Sequence, residues 1–167
     1  MQPLDFDRQQ VLSQVALFSP LKDVPEALKA LSEIMIVKDF SIGTELTKEG
    51  QEGDEAYILV KGQVSIYKRT PDGDTYKVLI LKDEVKPAFG EGGLIDNEAR
   101  SATVTCDVPS VCLVLNRKNF DEFSGKYPKW ALPIYRKIAQ TLMKRLSQTS
   151  YDLMLLHKAL MAEIRGS

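Results

Sequence analysis

Phe89-Gly90-Glu91-Gly92-Gly93-Leu94-Ile95-Asp96-Asn97-Glu98-Ala99-Arg100-Ser101-Ala102-Thr103-Val104 breaks the pattern of the chain around it. On both sides apolar residues recur in steps of two. Inside the segment, Gly90, Gly92 and Gly93 stand almost together, and Arg100 closes a return loop. The glycines let backbone N–H groups approach an anion that a side chain would block. A short helical piece starting near Glu91 adds a dipole that favours negative charge. Arg100 is suited to charge-assisted hydrogen bonds with a phosphate. Glu91 is not, because like charges repel; its carboxylate suits a sugar hydroxyl as acceptor. Two strands flanking such a turn predict a small phosphate ester held within a β structure.

Outward from this segment the period of two continues. Ala56–Val60 is a short apolar run, Val64 and Ile66 alternate with polar neighbours, and Tyr76–Leu81 is apolar except for Lys77. Ala102, Val104 and Cys106 alternate, then Val111, Leu113 and Leu115. Turn residues separate these runs: Gly43, Gly50, Gly53-Asp54, Gly62, Pro71-Asp72-Gly73-Asp74 and Asp107-Val108-Pro109-Ser110. Many short strands between such turns predict a closed or double-sheet antiparallel β structure.

Both ends read as helical. A helix is expected over Phe6–Leu17, and a second after Asp23 with Pro25 in its first turn, ending near Met35. After Arg117 the helical period returns. Pro128 and Pro133 predict a helix, a bend, then one long helix. On that helix Leu142, Leu146, Thr149, Leu153, Leu156 and Leu160 form a heptad seam, which favours a homodimer over packing back onto the β structure. The expected fold is α+β: one domain over residues 1–167, with N-terminal helices to about 35, an antiparallel β-roll over 36–117 and C-terminal helices over 118–167.

Composition removes several functions. The chain has 167 residues, a net charge of −1 and a single histidine, His157. One histidine removes His-rich metal sites and leaves no visible triad, so no catalytic residue and no metal ligand is expected. The charge balance gives no sign of direct nucleic-acid binding. Cys106 and Cys112 read as small core residues of a reducing compartment. No apolar run approaches a membrane span, and the first residues lack a signal pattern, so a cytoplasmic location is expected.

The two elements Phe89-Gly90-Glu91 … Arg100-Ser101-Ala102-Thr103-Val104 and Glu49-Gly50-Gln51-Glu52-Gly53-Asp54 … Tyr57-Ile58-Leu59 … Gly62 occur in order and at the right separation. Together they resemble the cyclic-nucleotide-binding domains of bacterial catabolite activators, cyclic-nucleotide-dependent kinases and gated channels. Taken alone, Glu91 and Arg100 read equally well as a surface ion pair; the glycines and the second element decide against that.

The resemblance implies a sensor whose ligand repositions the C-terminal helices. It implies that Glu91 accepts the ribose 2′-hydroxyl, that Arg100 pairs with the cyclic phosphate, and that Ser101 and the backbone of Gly90 and Gly92 assist. Phe89, Gly93, Leu94 and Ala102 complete the implied binding segment. Arg145-Leu146-Ser147-Gln148-Thr149-Ser150 resembles an activator stretch whose hydroxyls meet adenine, one of them from the partner subunit. That makes Thr149 and Ser150 base contacts, although Thr149 reads equally as a tolerated polar seam residue and Lys144 and Arg145 as a solvated face. In the kinase and channel branches Thr after the arginine goes with cGMP and Ala with cAMP. Ser101 matches the activators, so cAMP is expected in preference to cGMP. Three positions depart from the pattern: Lys86-Pro87 for a Gly-Asp pair, Gly92 for a larger apolar residue, and Ala99 for a proline. They keep open an alternative: a domain of the same fold that has lost its ligand and serves as a dimerisation module.

Overall fold

The computed structural model describes residues 6–96 and 99–166. Helix α1 (Arg8–Gln14) is capped by the Asp7 carboxylate, which accepts from the amides of Gln9 and Gln10. The single helix expected over Phe6–Leu17 is in fact two pieces. Val15 is extended, and a 3-10 helix (Ala16–Leu21) follows. The break lets Leu12, Val15, Leu17, Phe18 and Leu21 all reach the core, which one straight short helix would not do. Helix α2 (Pro25–Glu33) starts with proline at its first position.

Among the described residues eight strands follow: β1 (Ile36–Phe40), β2 (Glu45–Thr47), β3 (Glu55–Lys61), β4 (Gln63–Arg69), β5 (Thr75–Lys82), β6 (Ala88–Phe89), β7 (Thr103–Cys106) and β8 (Ser110–Asn116). They form two four-stranded antiparallel sheets, in the orders β1-β8-β3-β6 and β2-β7-β4-β5. The β-roll expected from the sequence is present.

The first sheet is covered on both faces. Ala56, Ile58, Val60, Val111, Leu113 and Leu115 join the helices in one core. Tyr57, Leu59, Cys112 and Val114 point the other way, toward Leu46, Val64, Val104 and Cys106 of the second sheet. This explains why β3 is an unbroken apolar run and why β8, expected from the steps Val111, Leu113 and Leu115, is apolar at Cys112 and Val114 as well, whereas β7, covered on one face, alternates. Both cysteines are buried and free in the second core. Burial is the main cause that raises the thiol pKa of Cys112, to about 12.

Helix α3 (Arg117–Lys126) is capped by Asn116, whose side chain accepts from the Asn119 amide. Tyr127 breaks the helical path before α4 (Pro128–Gly166). The bend therefore falls at Tyr127-Pro128, and Pro133 sits inside α4 without ending it. A proline there forfeits one hydrogen bond. Ala131, Ile134 and Ile138 are almost fully buried on the same stretch and anchor it. Burying the two isoleucines contributes about 1.5–3 kcal/mol each, enough to hold a helix across that loss.

From Leu142 onward α4 leaves the body of the domain. Leu142, Leu146, Leu153, Leu156 and Leu160 are all exposed. So are Tyr76, Val78, Leu79 and Ile80 of β5, an edge strand of the second sheet. No helix of the described residues is long and apolar enough to cross a membrane.

Candidate functional site

The segment opening at Phe89 sits where β6 leaves the first sheet. Phe89 pairs with Tyr57 across the β3–β6 ladder, and their rings stack 5.4 Å apart. Gly90 then turns the chain with φ of 72°, a left-handed conformation that glycine adopts freely. A single 3-10 turn, Glu91–Leu94, follows.

Arg100 returns beneath this turn. Its Nη1 donates to the Gly90 carbonyl at 2.9 Å and its Nη2 to the Glu55 carbonyl at 2.6 Å. Three glycines make room for the guanidinium. A Cβ on Gly53 would lie 2.5 Å from Arg100 Nε, and one on Gly90 or Gly93 would lie 2.9 Å from Nη1. The backbone of Arg100 is tied down as well. Its amide donates to Gln51 O at 2.8 Å, and its carbonyl accepts from Gly50 N at 2.9 Å. The Glu49–Asp54 turn and the arginine are thus one structure, although half a domain of sequence separates them.

Glu55, whose carbonyl receives Arg100, is itself held. Its carboxylate accepts from Lys38 Nζ and from Tyr57 Oη, each at 2.7 Å. Burial pushes the Glu55 pKa upward, but the Lys38 and Tyr57 hydrogen bonds and the Lys38 and Arg100 charges outweigh it, so the net direction is down. Tyr57 moves up, through burial first and then through its bond to Glu55.

Glu91 is 4% exposed. Its Oε1 lies 2.7 Å from Arg145 Nη1 on α4. The solvated face expected for Arg145 is therefore corrected: its side chain is 60% exposed yet anchors the helix on a buried carboxylate. The cause is tertiary, because α4 runs past the cassette at that turn.

Between cassette and helix lies a cavity of about 410 Å³. Gly90, Glu91, Gly92, Gly93, Arg100 and Ser101 line it, with Leu142 and Arg145 from α4. Its size falls in the range of small-molecule sites. It has the arginine of the cassette, the buried carboxylate and glycine backbone in one place.

Other expected site residues stand elsewhere. Phe89 and Leu94 are core residues, Phe89 in the inter-sheet core and Leu94 under the helices. They support the cassette from behind and do not line the cavity. Ala102 contributes its carbonyl to the Thr47 hydroxyl at 3.0 Å, which fixes the return strand. Thr149 and Ser150 are exposed on the projecting part of α4 and are not brought to the cavity within this chain. Three participants were not singled out in the sequence: Gly53 as a packing partner of Arg100, the Glu55 carbonyl, and Arg145. Arg145 stood at the head of the stretch quoted above, which was the signal available.

Lys86 explains one departure from the expected pattern. It has φ of 44°, the sole positive φ of a non-glycine residue among those described. A glycine at that position would take this conformation without strain. Lys86 holds it while donating its amine to Val60 O at 2.7 Å.

A family model described as cyclic nucleotide-binding domain matches residues 37–127, more than half the chain. Mouse cGMP-dependent protein kinase 2 is 31% identical over 128 residues, 75% of this chain and 16% of the kinase. A CRP-like cAMP-activated global transcriptional regulator of Mycobacterium tuberculosis is 26% identical over 144 residues, 86% of this chain and 61% of that protein. The chain thus spans less than two thirds of each of these relatives. Among solved structures, the N-terminal domain of a transcriptional regulator from Streptomyces coelicolor superposes with a TM-score of 0.71 at 27% identity, covering 83% of this chain and 94% of that one.

Proposed function

Since this chain belongs to the cyclic nucleotide-binding domain family, we propose that it is a sensor module that takes cAMP, in preference to cGMP, between its cassette and α4. The observation that carries the reading is Arg100, pinned by two carbonyls and walled by three glycines, in the same cavity as the buried Glu91. The two carbonyls engage one N–H of each terminal nitrogen, which leaves N–H groups of the guanidinium for a phosphate. Glycine backbone beside it adds close donors. Glu91 keeps Oε2 for a ribose hydroxyl while Oε1 holds Arg145.

The same ion pair supplies the output. A ligand that reaches Glu91 meets the group that anchors α4, so ligand and helix position are linked. Only a difference in affinity between helix arrangements shifts their populations. The cavity wall formed by Leu142 and Arg145 provides that difference. Ser101 directly after the arginine and the hydroxyl pair Thr149-Ser150 support adenine as the base. Those hydroxyls project on an exposed apolar helix, so we assign them to the site of a second copy, paired through the Leu142–Leu160 seam. This gives a regulatory rather than catalytic role, and the relatives whose names carry a kinase or a transcriptional activity extend well beyond this domain.

Isothermal calorimetry with cAMP and cGMP tests the proposal. Binding of cAMP with Arg100→Ala weakening it by ~2–5 kcal/mol is expected, because the phosphate loses its charged partner. An absence of heat with both nucleotides at millimolar ligand points instead to a dimerisation module that has lost its ligand.

A further inference from the structure

Next to Glu91, and not lined by the cassette glycines, lies a second cavity of about 300 Å³. Ala16 and Leu17 form one wall, Val85–Ala88 another, and Lys137, Thr141 and Arg145 the third. Glu91 and Arg145 are shared with the cassette cavity, so this pair stands as the partition between the two.

Its chemistry differs from that of the cassette. Three cations line it, Lys86 from the roll and Lys137 and Arg145 from α4, against the one carboxylate of Glu91, which Arg145 already pairs. Lys137 has no ion pair among the described residues. The Lys86 amine uses one donor on Val60 O and retains two. The remaining walls are apolar: Ala16, Leu17, Val85, Pro87 and Ala88. Lys137, Thr141 and Arg145 recur every four residues and so occupy one helix face. The roll side of the site is the strained Lys86-Pro87 loop, which holds a left-handed lysine where glycine would be strain-free.

We propose that this groove is an effector site for a small organic anion, a phosphate or carboxylate carrying an apolar group. The anion bridges Lys86 on the roll to Lys137 and Arg145 on α4, and the apolar part lies on Leu17, Val85 and Pro87. Without it, three cations share the cavity with one carboxylate. With it, the repulsion is relieved and α4 is clamped in the position seen here. The site shares Glu91 and Arg145 with the cassette cavity but does not require that a cyclic nucleotide bind.

The test is a nuclear magnetic resonance titration of the labelled full chain with phenyl phosphate, and in parallel with inorganic phosphate. Expected are saturable amide shifts at Leu17, Val85, Ala88 and Thr141, with inorganic phosphate weaker. The double substitution Lys86→Gln/Lys137→Gln should weaken phenyl phosphate by about fivefold or more, the size expected when two partly exposed charge pairs are lost. Arg100→Ala should leave those shifts in place. Because calorimetry on Arg100→Ala reports the cassette separately, the two proposals fail separately. Shifts confined to Gly90–Ser101 and abolished by Arg100→Ala would overturn the groove site. So would equal binding by the double variant in a spectrum that shows it folded, or no saturable shift at millimolar ligand.

Discussion

Glu91 Oε1 and Arg145 Nη1 lie 2.7 Å apart, joining a buried carboxylate of the cassette to the first turn of α4 that leaves the domain. Upstream of this contact Ile134 and Ile138 are buried; downstream the apolar residues are exposed. The pair therefore anchors the helix at the point where it projects.

Replacing Arg145 by alanine leaves Glu91 without its charged partner. We expect a loss of roughly 1–3 kcal/mol in urea unfolding, between the values for exposed and for buried pairs, because the arginine is largely exposed. A double-mutant cycle with Glu91→Gln isolates the interaction. A coupling energy near zero would show that the contact does not hold the helix.

Gly53→Ala sets a Cβ against the guanidinium of Arg100. The guanidinium must leave the Gly90 and Glu55 carbonyls or shift with them. Calorimetry should show cAMP affinity reduced by about tenfold or more, which is roughly 1.4 kcal/mol. An affinity equal to wild type would mean that the phosphate site tolerates a displaced Arg100.

The Glu55 carboxyl has a lowered pKa in the folded state, so its charged form is favoured by folding. Its stabilisation is complete above the unfolded-state carboxylate pKa and is lost as pH falls through the lower folded-state value. Glu55→Gln should cost roughly 1 kcal/mol near neutrality and flatten the acid limb of the stability curve. Thermal unfolding across pH 2 to 7, roughly the carboxylate window, gives the comparison. Parallel curves for the two proteins would rule out Glu55 as a source of acid sensitivity.

Leu153→Asp places a charge on the exposed seam without touching the roll. Sedimentation equilibrium should find a dimer for the wild type and a monomer for the variant, since a charge at a seam position is poorly tolerated once desolvated. A wild-type chain that remains monomeric at high concentration with saturating cAMP removes the seam as an interface.

Several parts of this arrangement are legible in the sequence. The alternation in β4 and β7, the steps of two in β8 and the apolar runs in β3 and β5 read as strands, because a pleated strand places side chains alternately on its two faces. The glycines and charges from Gly90 to Arg100 read as an anion site, because close approach needs bare backbone. By contrast, β2 and β6 hold only three and two residues, too few to show a period. Pro133 read as a bend because proline costs a hydrogen bond; the burial of Ile134 and Ile138 outweighs it.

The sequence by itself determined an antiparallel β structure between helical ends and a long apolar-seamed helix, since those properties follow from local periodicity and turn chemistry. The tertiary structure decided which distant groups meet. Arg145 anchors on Glu91, Gly53 packs on Arg100, and Lys86, Lys137 and Arg145 line a second cavity. No local pattern encodes these, because they depend on where the α4 axis crosses the roll, and that is set by the packing of Ala131, Ile134 and Ile138 in the shared core.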